Sequence, residues 1–211
     1  MQKAFWNPPS ERLFYISSFY PQKFLEMLAC FSVLCYTKTM KYDFYKKIYE
    51  KNAAFVKSRP LLKKALPILD KTLTVFFFLA YATLCFYALI KKLGADDLMW
   101  LIFPPLLCLF IVSVLRITVE KPRPYTENGA NITPFIEKKK SDNQSFPSRH
   151  IASATVIAGT FLPFFPGIAA LLYFFAFILA YVRFAAGLHY VSDLLAGGAI
   201  GLCLGLLSVI F

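Results

Sequence analysis

Three cations lie close together in the segment from Arg116 to Pro124, directly after an apolar run. Arg116 and Arg123 present planar forks of N–H donors that fit two phosphate oxygens, and Lys121 adds a point charge between them. The prolines on either side of Arg123 reduce the conformational freedom that is lost when it is held in place. The segment is therefore typical of phosphate recognition. Basic residues also flank the ends of many membrane helices, and the segment alone does not decide between these interpretations.

A second candidate segment, Ser145 to His150, leads directly into the next apolar run. Pro147-Ser148 is typical of a helix start, because serine is a favoured N-cap and the free N–H groups of a first helical turn form an anion site. Ser148 and the backbone of Arg149 are therefore candidate ligands of phosphate oxygens. His150 is a candidate proton donor in the same turn. The alternative for His150 is an interfacial histidine without a chemical role.

The third candidate segment contains Arg183, His189 and Asp193, where one apolar run ends and the last begins. The chain has only 2 histidines, and both lie at the ends of apolar runs among cations. A spacing of four puts His189 and Asp193 on one face of a helical turn. The carboxylate can then accept the imidazole N–H, fix the tautomer and leave the other nitrogen available for attack. Asp193 also suits the first turn of the last helix, a role compatible with this one.

Membrane helices are the elements that must position these segments. Hydrophobic residues make up 58% of the chain, against about 45–50% in ordinary soluble domains. They gather into runs of roughly bilayer length. The runs predict six spans, at Phe24–Tyr36, Leu73–Ile90, Leu98–Leu115, Ile151–Phe164, Gly167–Tyr181 and Val191–Phe211. The predicted fold class is all-α, an integral membrane bundle of about six transmembrane helices.

The order of the spans brings the three candidate segments to one side of the membrane. Arg116 to Arg123 follow the third span, His150 opens the fourth, and His189 lies between the fifth and the sixth. A single site built from all three is therefore geometrically feasible. In the last run Gly197, Gly201 and Gly205 recur every four residues, which predicts close packing against another helix.

We expect one domain over residues 1–211, with an N-terminal part at 1–71 and a catalytic helical core at 72–211. Residues 1–23 are aromatic and mixed in charge, as in a segment at the membrane interface. Residues 37–71 hold ten Lys or Arg, which predicts a surface helix against anionic headgroups. A solvated linker is the alternative for this basic segment.

The formal net charge of +11 would suggest nucleic acid as a partner of a soluble protein. Here the basic residues lie between apolar runs, and no nucleic-acid-binding signature is present, so anionic lipid headgroups are the expected partners. The 5 cysteines all lie in apolar stretches, and none forms a Cys-x-x-Cys pair. They are typical of small buried hydrophobic residues.

Taken in order, the three segments resemble the motifs of the type 2 phosphatidic acid phosphatase (PAP2) superfamily, in its membrane lipid phosphatase branch. The family pattern is Lys-x6-Arg-Pro, then Pro-Ser-Gly-His, then Ser-Arg-x5-His-x3-Asp, and all three spacings match. The resemblance is clear over residues 98–211. Arg116 stands where the family has Lys, Arg149 where it has Gly, and Val182 where it has Ser. None of the catalytic groups is missing.

The resemblance implies a metal-independent phosphatase without a cofactor. It implies that His189 attacks phosphorus, that Asp193 stabilises the imidazolium, and that His150 protonates the leaving oxygen. Water then hydrolyses the phosphohistidine. The implied phosphate-binding residues are Arg116, Lys121, Arg123, Ser148, Arg149 and Arg183. Neither nucleic acid nor a metal ion is expected at the site, and no protein partner is inferred.

The implied substrates are lipid phosphates or diphosphates: undecaprenyl diphosphate, phosphatidylglycerol phosphate or phosphatidic acid. The expected location is a bacterial plasma (inner) membrane, with an extracytoplasmic active site. The charge distribution opposes this orientation, because it puts residues 37–71 and the active-site loop outside, against the positive-inside rule. Two other functions stay open, a lipid phosphotransferase that uses the same histidine and a catalytically silent lipid-binding membrane protein.

Overall fold

The structure of the protein, a computed structural model, describes residues 42–126, 130–136 and 143–210, and over these residues it consists of α-helices and the loops that join them, without a strand. The helices are α1 (Tyr42–Lys57), α2 (Pro60–Ile90), α3 (Ala95–Val119), α4 (Arg149–Thr160), α5 (Pro166–Ala185) and α6 (Val191–Ile210). The prediction of an all-α membrane bundle is confirmed. The predicted interfacial segment at 1–23 and the first predicted span, Phe24–Tyr36, lie outside the described residues.

Four of these helices, α2, α3, α5 and α6, are long and apolar enough to cross a membrane. Their outer faces expose large apolar side chains such as Phe78, Phe177 and Leu195. Water does not favour such a surface, whereas the hydrocarbon of a bilayer does. The chain is therefore an integral, multi-pass membrane protein.

Helix α4 is shorter than the predicted span Ile151–Phe164. It has 12 residues, about 18 Å at 1.5 Å per residue, against a hydrocarbon core of about 30 Å. Pro163 cannot continue a helix, and Pro166 starts the next one at its first turn, so the run is interrupted. Most of α4 is buried between α3, α5 and α6. The helix is thus an inner element of the bundle that carries the Ser148 turn at its N-terminus.

The predicted small-residue face of the last helix packs against α4. Gly197 faces the carbonyl oxygen of Ser148, where an added Cβ would lie 2.5 Å away, and Gly201 faces the backbone of Ala152. One turn later, Gly205 faces Gly159 of α4. Such close approach to the α4 backbone requires residues without a side chain on this face of α6. It presses the start of α4 onto the first turns of α6.

The basic segment 37–71 contains more than the predicted surface helix. Within it, α1 buries one face through Tyr45, Tyr49, Ala53 and Val56, which recur at helical spacing. This face packs on the loop that precedes α6. The segment also includes the start of α2, so no helix end marks the predicted boundary between residues 71 and 72. The sequence did not predict this packing, because the many lysines of the segment obscure the helical spacing of its aromatic residues.

We expect Gly201→Ala to destabilise the bundle. The new methyl group would overlap the side chain of Thr155 and the carbonyl of Ala152. Overpacking of this kind costs about 1–3 kcal/mol, more than the roughly 1 kcal/mol by which alanine exceeds glycine in helix propensity. The matched control is Gly198→Ala, whose methyl group would meet nothing closer than Ile151 Cγ2 at 3.7 Å. Thermal unfolding in detergent compares the two, and equal melting temperatures would contradict the close contact.

Candidate active site

The carboxylate of Asp193 is fully buried at the start of α6 and accepts hydrogen bonds from several donors. Lys121 Nζ donates to Oδ1 at 2.7 Å. Ser145 Oγ donates to Oδ2 at 2.5 Å, and the backbone N–H of Tyr190 donates to the same oxygen at 3.1 Å. A buried charge is costly unless it is paired and hydrogen-bonded, and this one is both. Asp193 thereby ties the loop after α3 and the loop before α4 to the first turn of α6.

His189 lies beside this carboxylate, as its spacing from Asp193 predicts. Its Nδ1 is 3.7 Å from Asp193 Oδ2, which is longer than a hydrogen bond, and its Nε2 is 3.5 Å from Arg123 Nη1. Catalytic hydrogen bonds are often long before substrate binds. Burial lowers the pKa of His189 to about 4, and the Arg123 charge acts in the same direction while Asp193 opposes it. The imidazole is therefore neutral at neutral pH and keeps a lone pair for nucleophilic attack.

The turn that directs His189 into the site is a helix C-cap. The N–H of Gly187 donates to Phe184 O at 3.0 Å, and the N–H of Leu188 donates to Arg183 O at 3.1 Å. This pair of bonds is the Schellman motif, in which the residue after the cap is left-handed. Gly187 has φ = 75°, which favours glycine. The glycine thus explains how a helix end and a buried histidine fit within six residues of Arg183.

Buried guanidinium groups face the same region. Arg116, Arg123 and Arg183 are all almost completely buried, and they interact electrostatically with one another. Arg116 Nη1 donates to the carbonyl of Pro147 at 3.0 Å, but its Nε has no partner. Like charges in a buried cluster repel, and an anion relieves that repulsion. The cluster is therefore suited to bind a multiply charged anion.

Arg183 has a partner that the sequence analysis missed. Its Nη2 lies 2.8 Å from Asp70 Oδ1 and 3.1 Å from Oδ2, so an ion pair joins α5 to α2. The Nε and Nη1 atoms of Arg183 have no hydrogen-bond partner. Asp70 thus holds the Nη2 side of the guanidinium and leaves its Nε and Nη1 atoms available to donate to an anion. A lone acid within a long apolar helix is a recognised signal for function, and that signal could have identified Asp70.

The remaining predicted residues lie at the start of α4. Ser148 is the N-cap, as predicted, and its buried Oγ has no hydrogen-bond partner. Arg149 is exposed and His150 half-buried, and both line a mostly apolar cavity of about 210 Å³ between α2, α3, α4 and α5. Lys121, an expected phosphate-binding residue, donates hydrogen bonds from its ammonium group to Asp193 and, at 2.8 Å, to Ser192 Oγ. Its charge therefore supports the carboxylate directly.

The geometry suits a displacement reaction at a tetrahedral anion. A neutral imidazole lies beside a buried carboxylate, buried arginines are close by, and a second histidine stands at the edge of an apolar cavity. Within the described ranges, no group of three or more His, Cys, Asp or Glu side chains has the arrangement of a metal site. Positive charge at the site comes from the arginines and Lys121.

Comparison with known proteins identifies relatives of this chain. The family model described as the PAP2 superfamily matches residues 97–211. A solved structure of the first transmembrane PAP2-type phosphatidylglycerolphosphate phosphatase from Bacillus subtilis is 21% identical, with a TM-score of 0.62 over 89% of this chain and 92% of that one, so the two share a fold. Aquifex aeolicus LpxE is 26% identical over 69% of this chain and 87% of its own, with a TM-score of 0.47. No curated protein matches.

We expect Asp70→Asn to lower the stability of the folded bundle. The change leaves the buried guanidinium of Arg183 without its carboxylate, which costs about 3 kcal/mol or somewhat less because Asp70 is partly exposed. The control is Asp96→Asn, which removes an exposed acid from the first turn of α3. Thermal unfolding in detergent should show a lower melting temperature for Asp70→Asn alone. If both variants unfold with the wild type, the ion pair contributes nothing to the fold.

Proposed function

The chain belongs to the PAP2 superfamily, and on that premise we propose that it is a membrane lipid phosphatase that acts through a phosphohistidine intermediate. The observation that carries the proposal is the environment of His189. Burial keeps its imidazole neutral, Asp193 lies 3.7 Å from one ring nitrogen, and Arg123 lies 3.5 Å from the other. A nucleophile, its orienting carboxylate and an anion-binding cation thus lie side by side.

The proposed first step forms a nitrogen–phosphorus bond and breaks the bond between phosphorus and the lipid oxygen. Nε2 of His189 attacks, because Nδ1 faces Asp193 and keeps its proton on that side of the ring throughout the reaction. The imidazole becomes positively charged as it is phosphorylated, and the buried negative charge of Asp193 stabilises it. His150 donates a proton to the departing lipid oxygen.

The second step returns the enzyme to its starting state. His150, now neutral, accepts a proton from water, and the resulting hydroxide attacks phosphorus as the bond to His189 breaks. Orthophosphate leaves, and both histidines have the protonation states with which they began. Arg116, Arg123 and Arg183 stabilise the negative charge on the equatorial oxygens in both steps. These guanidinium groups supply the charge that a magnesium ion supplies in many phosphoryl-transfer enzymes, so the proposed reaction needs no metal.

The cavity beside His150 supports an amphiphilic substrate. It is lined by Phe77, Phe78 and Leu109, and Phe78 is 76% exposed on the outer face of the bundle. A lipid whose leaving oxygen meets His150 has its hydrocarbon close to this cavity. Arg149 lies at the same place and is available to a second phosphate or another anionic group. Phosphatidylglycerol phosphate, phosphatidic acid and undecaprenyl diphosphate all fit this description, and the first is named in the relative from Bacillus subtilis.

We expect His189→Ala to lower turnover by about 10³-fold or more, because no other group replaces the nucleophile. Asp193→Asn should cost less, since the ring keeps a neighbour that can fix its orientation. It should also lower stability, because Lys121 and Ser145 lose the carboxylate that they contact.

Orthophosphate release from each candidate lipid in detergent measures the turnover of both variants. The same assay with excess EDTA tests whether turnover needs a metal ion. Transfer of phosphate to an acceptor other than water would indicate a phosphotransferase. Wild-type rates in His189→Ala would contradict the proposed nucleophile, and the absence of turnover in the wild type would favour a silent lipid-binding protein.

The proposed location is a bacterial plasma membrane with the site on the extracytoplasmic side, and cysteine labelling tests the orientation. In a variant without the 5 native cysteines, Asn143→Cys should react with an impermeant reagent on intact cells. Lys92→Cys, between α2 and α3, should react only after permeabilisation. Both positions are exposed, so neither result is limited by burial. The opposite pattern would put the active site in the cytoplasm.

A further inference from the structure

The buried face of α1 holds the loop that carries His189. Tyr45 Oη donates to the backbone carbonyl of His189 at 3.2 Å, and its ring packs edge-on against Tyr190 at 4.7 Å between centroids. Tyr49 Oη donates to the carbonyl of Thr133 at 2.7 Å. Tyr49 also packs against Gly187, where an added Cβ would lie 3.0 Å from its ring. Movement of α1 away from the bundle would therefore release the loop on which the nucleophile stands.

The solvent-facing sides of α1 are unlike each other. Ile48, Lys51 and Phe55 follow one another at spacings of three and four residues and form one flank. Ile48 is 38% exposed and Phe55 45% exposed, so this flank presents apolar groups together with a cation. The opposite flank carries Lys46 and Glu50, a pair of opposite charges one turn apart that suits water. An apolar stripe bordered by lysine is typical of a helix that lies in a membrane interface.

The apolar flank of α1 lies at the side of the bundle that faces lipid. Asn52 Oδ1, next to this flank, accepts a hydrogen bond from Tyr181 Oη at 3.3 Å. Tyr181 is 51% exposed near the end of the membrane-spanning helix α5, and Phe177, one turn earlier, is 73% exposed. Exposed tyrosines near the ends of spanning helices lie at the level of the lipid headgroups. Ile48 and Phe55 are therefore at the depth where a bilayer changes from headgroup to hydrocarbon.

The charge of the same region selects the kind of headgroup. Eight exposed cations lie on α1 and the first part of α2: Lys46, Lys47, Lys51, Lys57, Arg59, Lys63, Lys64 and Lys71. The acids in the same stretch of sequence are Asp43, Glu50 and Asp70, and Asp70 is paired with Arg183. Each lysine or arginine near an anionic surface strengthens binding about five-fold. The cations therefore favour an anionic leaflet over a zwitterionic one.

We propose that α1 is an interfacial helix that docks on an anionic lipid leaflet through Ile48, Lys51 and Phe55, and that this docking holds the His189 loop in its reactive position. The inference rests on the proposed function for its effect on turnover. Docking itself is independent of catalysis. Anionic lipid then acts on the enzyme as a partner, in addition to any role as substrate.

Hydrogen exchange of the wild-type protein in vesicles tests the docking. Amide protection over residues 42–57 should be higher in vesicles that contain anionic lipid than in vesicles of zwitterionic lipid alone. Protection in the interior of α3 is the internal reference and should not change. Equal protection of α1 in both kinds of vesicle would overturn the proposal, whether or not the protein turns over a lipid phosphate.

Two double variants test the effect on turnover. Lys47→Gln with Lys51→Gln removes two exposed charges from α1, and should weaken docking about 30-fold. Lys91→Gln with Lys92→Gln removes two exposed charges from the connection between α2 and α3 and is the matched control.

Orthophosphate release should rise with anionic lipid in the wild type and in the control, and much less in the α1 variant. In detergent micelles all three should have equal rates, which shows that the variants fold and separates a failure of docking from a failure of the proposed phosphatase. An α1 variant that responds to anionic lipid like the wild type, or a wild type whose rate in vesicles ignores anionic lipid, would overturn the proposal. The proposal would also be overturned if amide protection of α1 and activation by anionic lipid appeared only when a soluble protein is present.

Discussion

The site is organised around one buried negative charge, the carboxylate of Asp193. A carboxylate in the interior of a membrane bundle is stable only when hydrogen-bond donors and a cation surround it. Those groups come from distant parts of the chain, with Lys121 after α3, Ser145 before α4 and Tyr190 before α6. The hydrogen bonds to this carboxylate therefore hold two loops against α6, and they fix the position of His189 at the same time. The stability of the fold and the geometry of the site depend on the same contacts.

The helices reach this arrangement because α4 and α6 approach very closely. The backbone N–H of Ser148 donates to the carbonyl of Asp193 at 2.9 Å, and Gly197 leaves room for the carbonyl of Ser148 one turn further along α6. A side chain at residue 197 would push the N-terminus of α4, and Ser148 Oγ with it, away from the arginines. The glycine face of α6 thus positions the Ser148 turn as well as packing the two helices.

Much of this arrangement could be predicted from local sequence. The spacing of Arg123, Ser148, His189 and Asp193 within three short motifs gave the family and the residues that lie together, and the long apolar runs gave the bundle. Contacts between segments that share no motif could not be predicted in this way. The pairing of Asp70 with Arg183 joins residues 113 positions apart. A lone acid in an apolar helix marks Asp70 as a candidate, but no local pattern pairs it with Arg183 until the helices are packed.

Two other differences have similar causes. Helix α4 is shorter than its apolar run because Pro163 ends it, and an average of hydrophobicity does not register one proline. The contact between Tyr45 and His189 was hidden by the lysines around that tyrosine. In both cases the decisive feature was one residue within a segment whose composition suggested something simpler.

The length of α3 has a consequence for the membrane around the protein. The acids Asp96 and Asp97 lie in the first turn of α3, at the end of that helix opposite the site. Arg116 is 19 residues beyond Asp97 along α3, a rise of about 28 Å. The hydrocarbon core of an average bilayer is about 30 Å thick. The apolar part of α3 between these charges therefore matches a bilayer of average thickness, and Arg116 lies at the depth of the other interface. Lipid headgroups then lie at the level of Arg116 without any helix having to move.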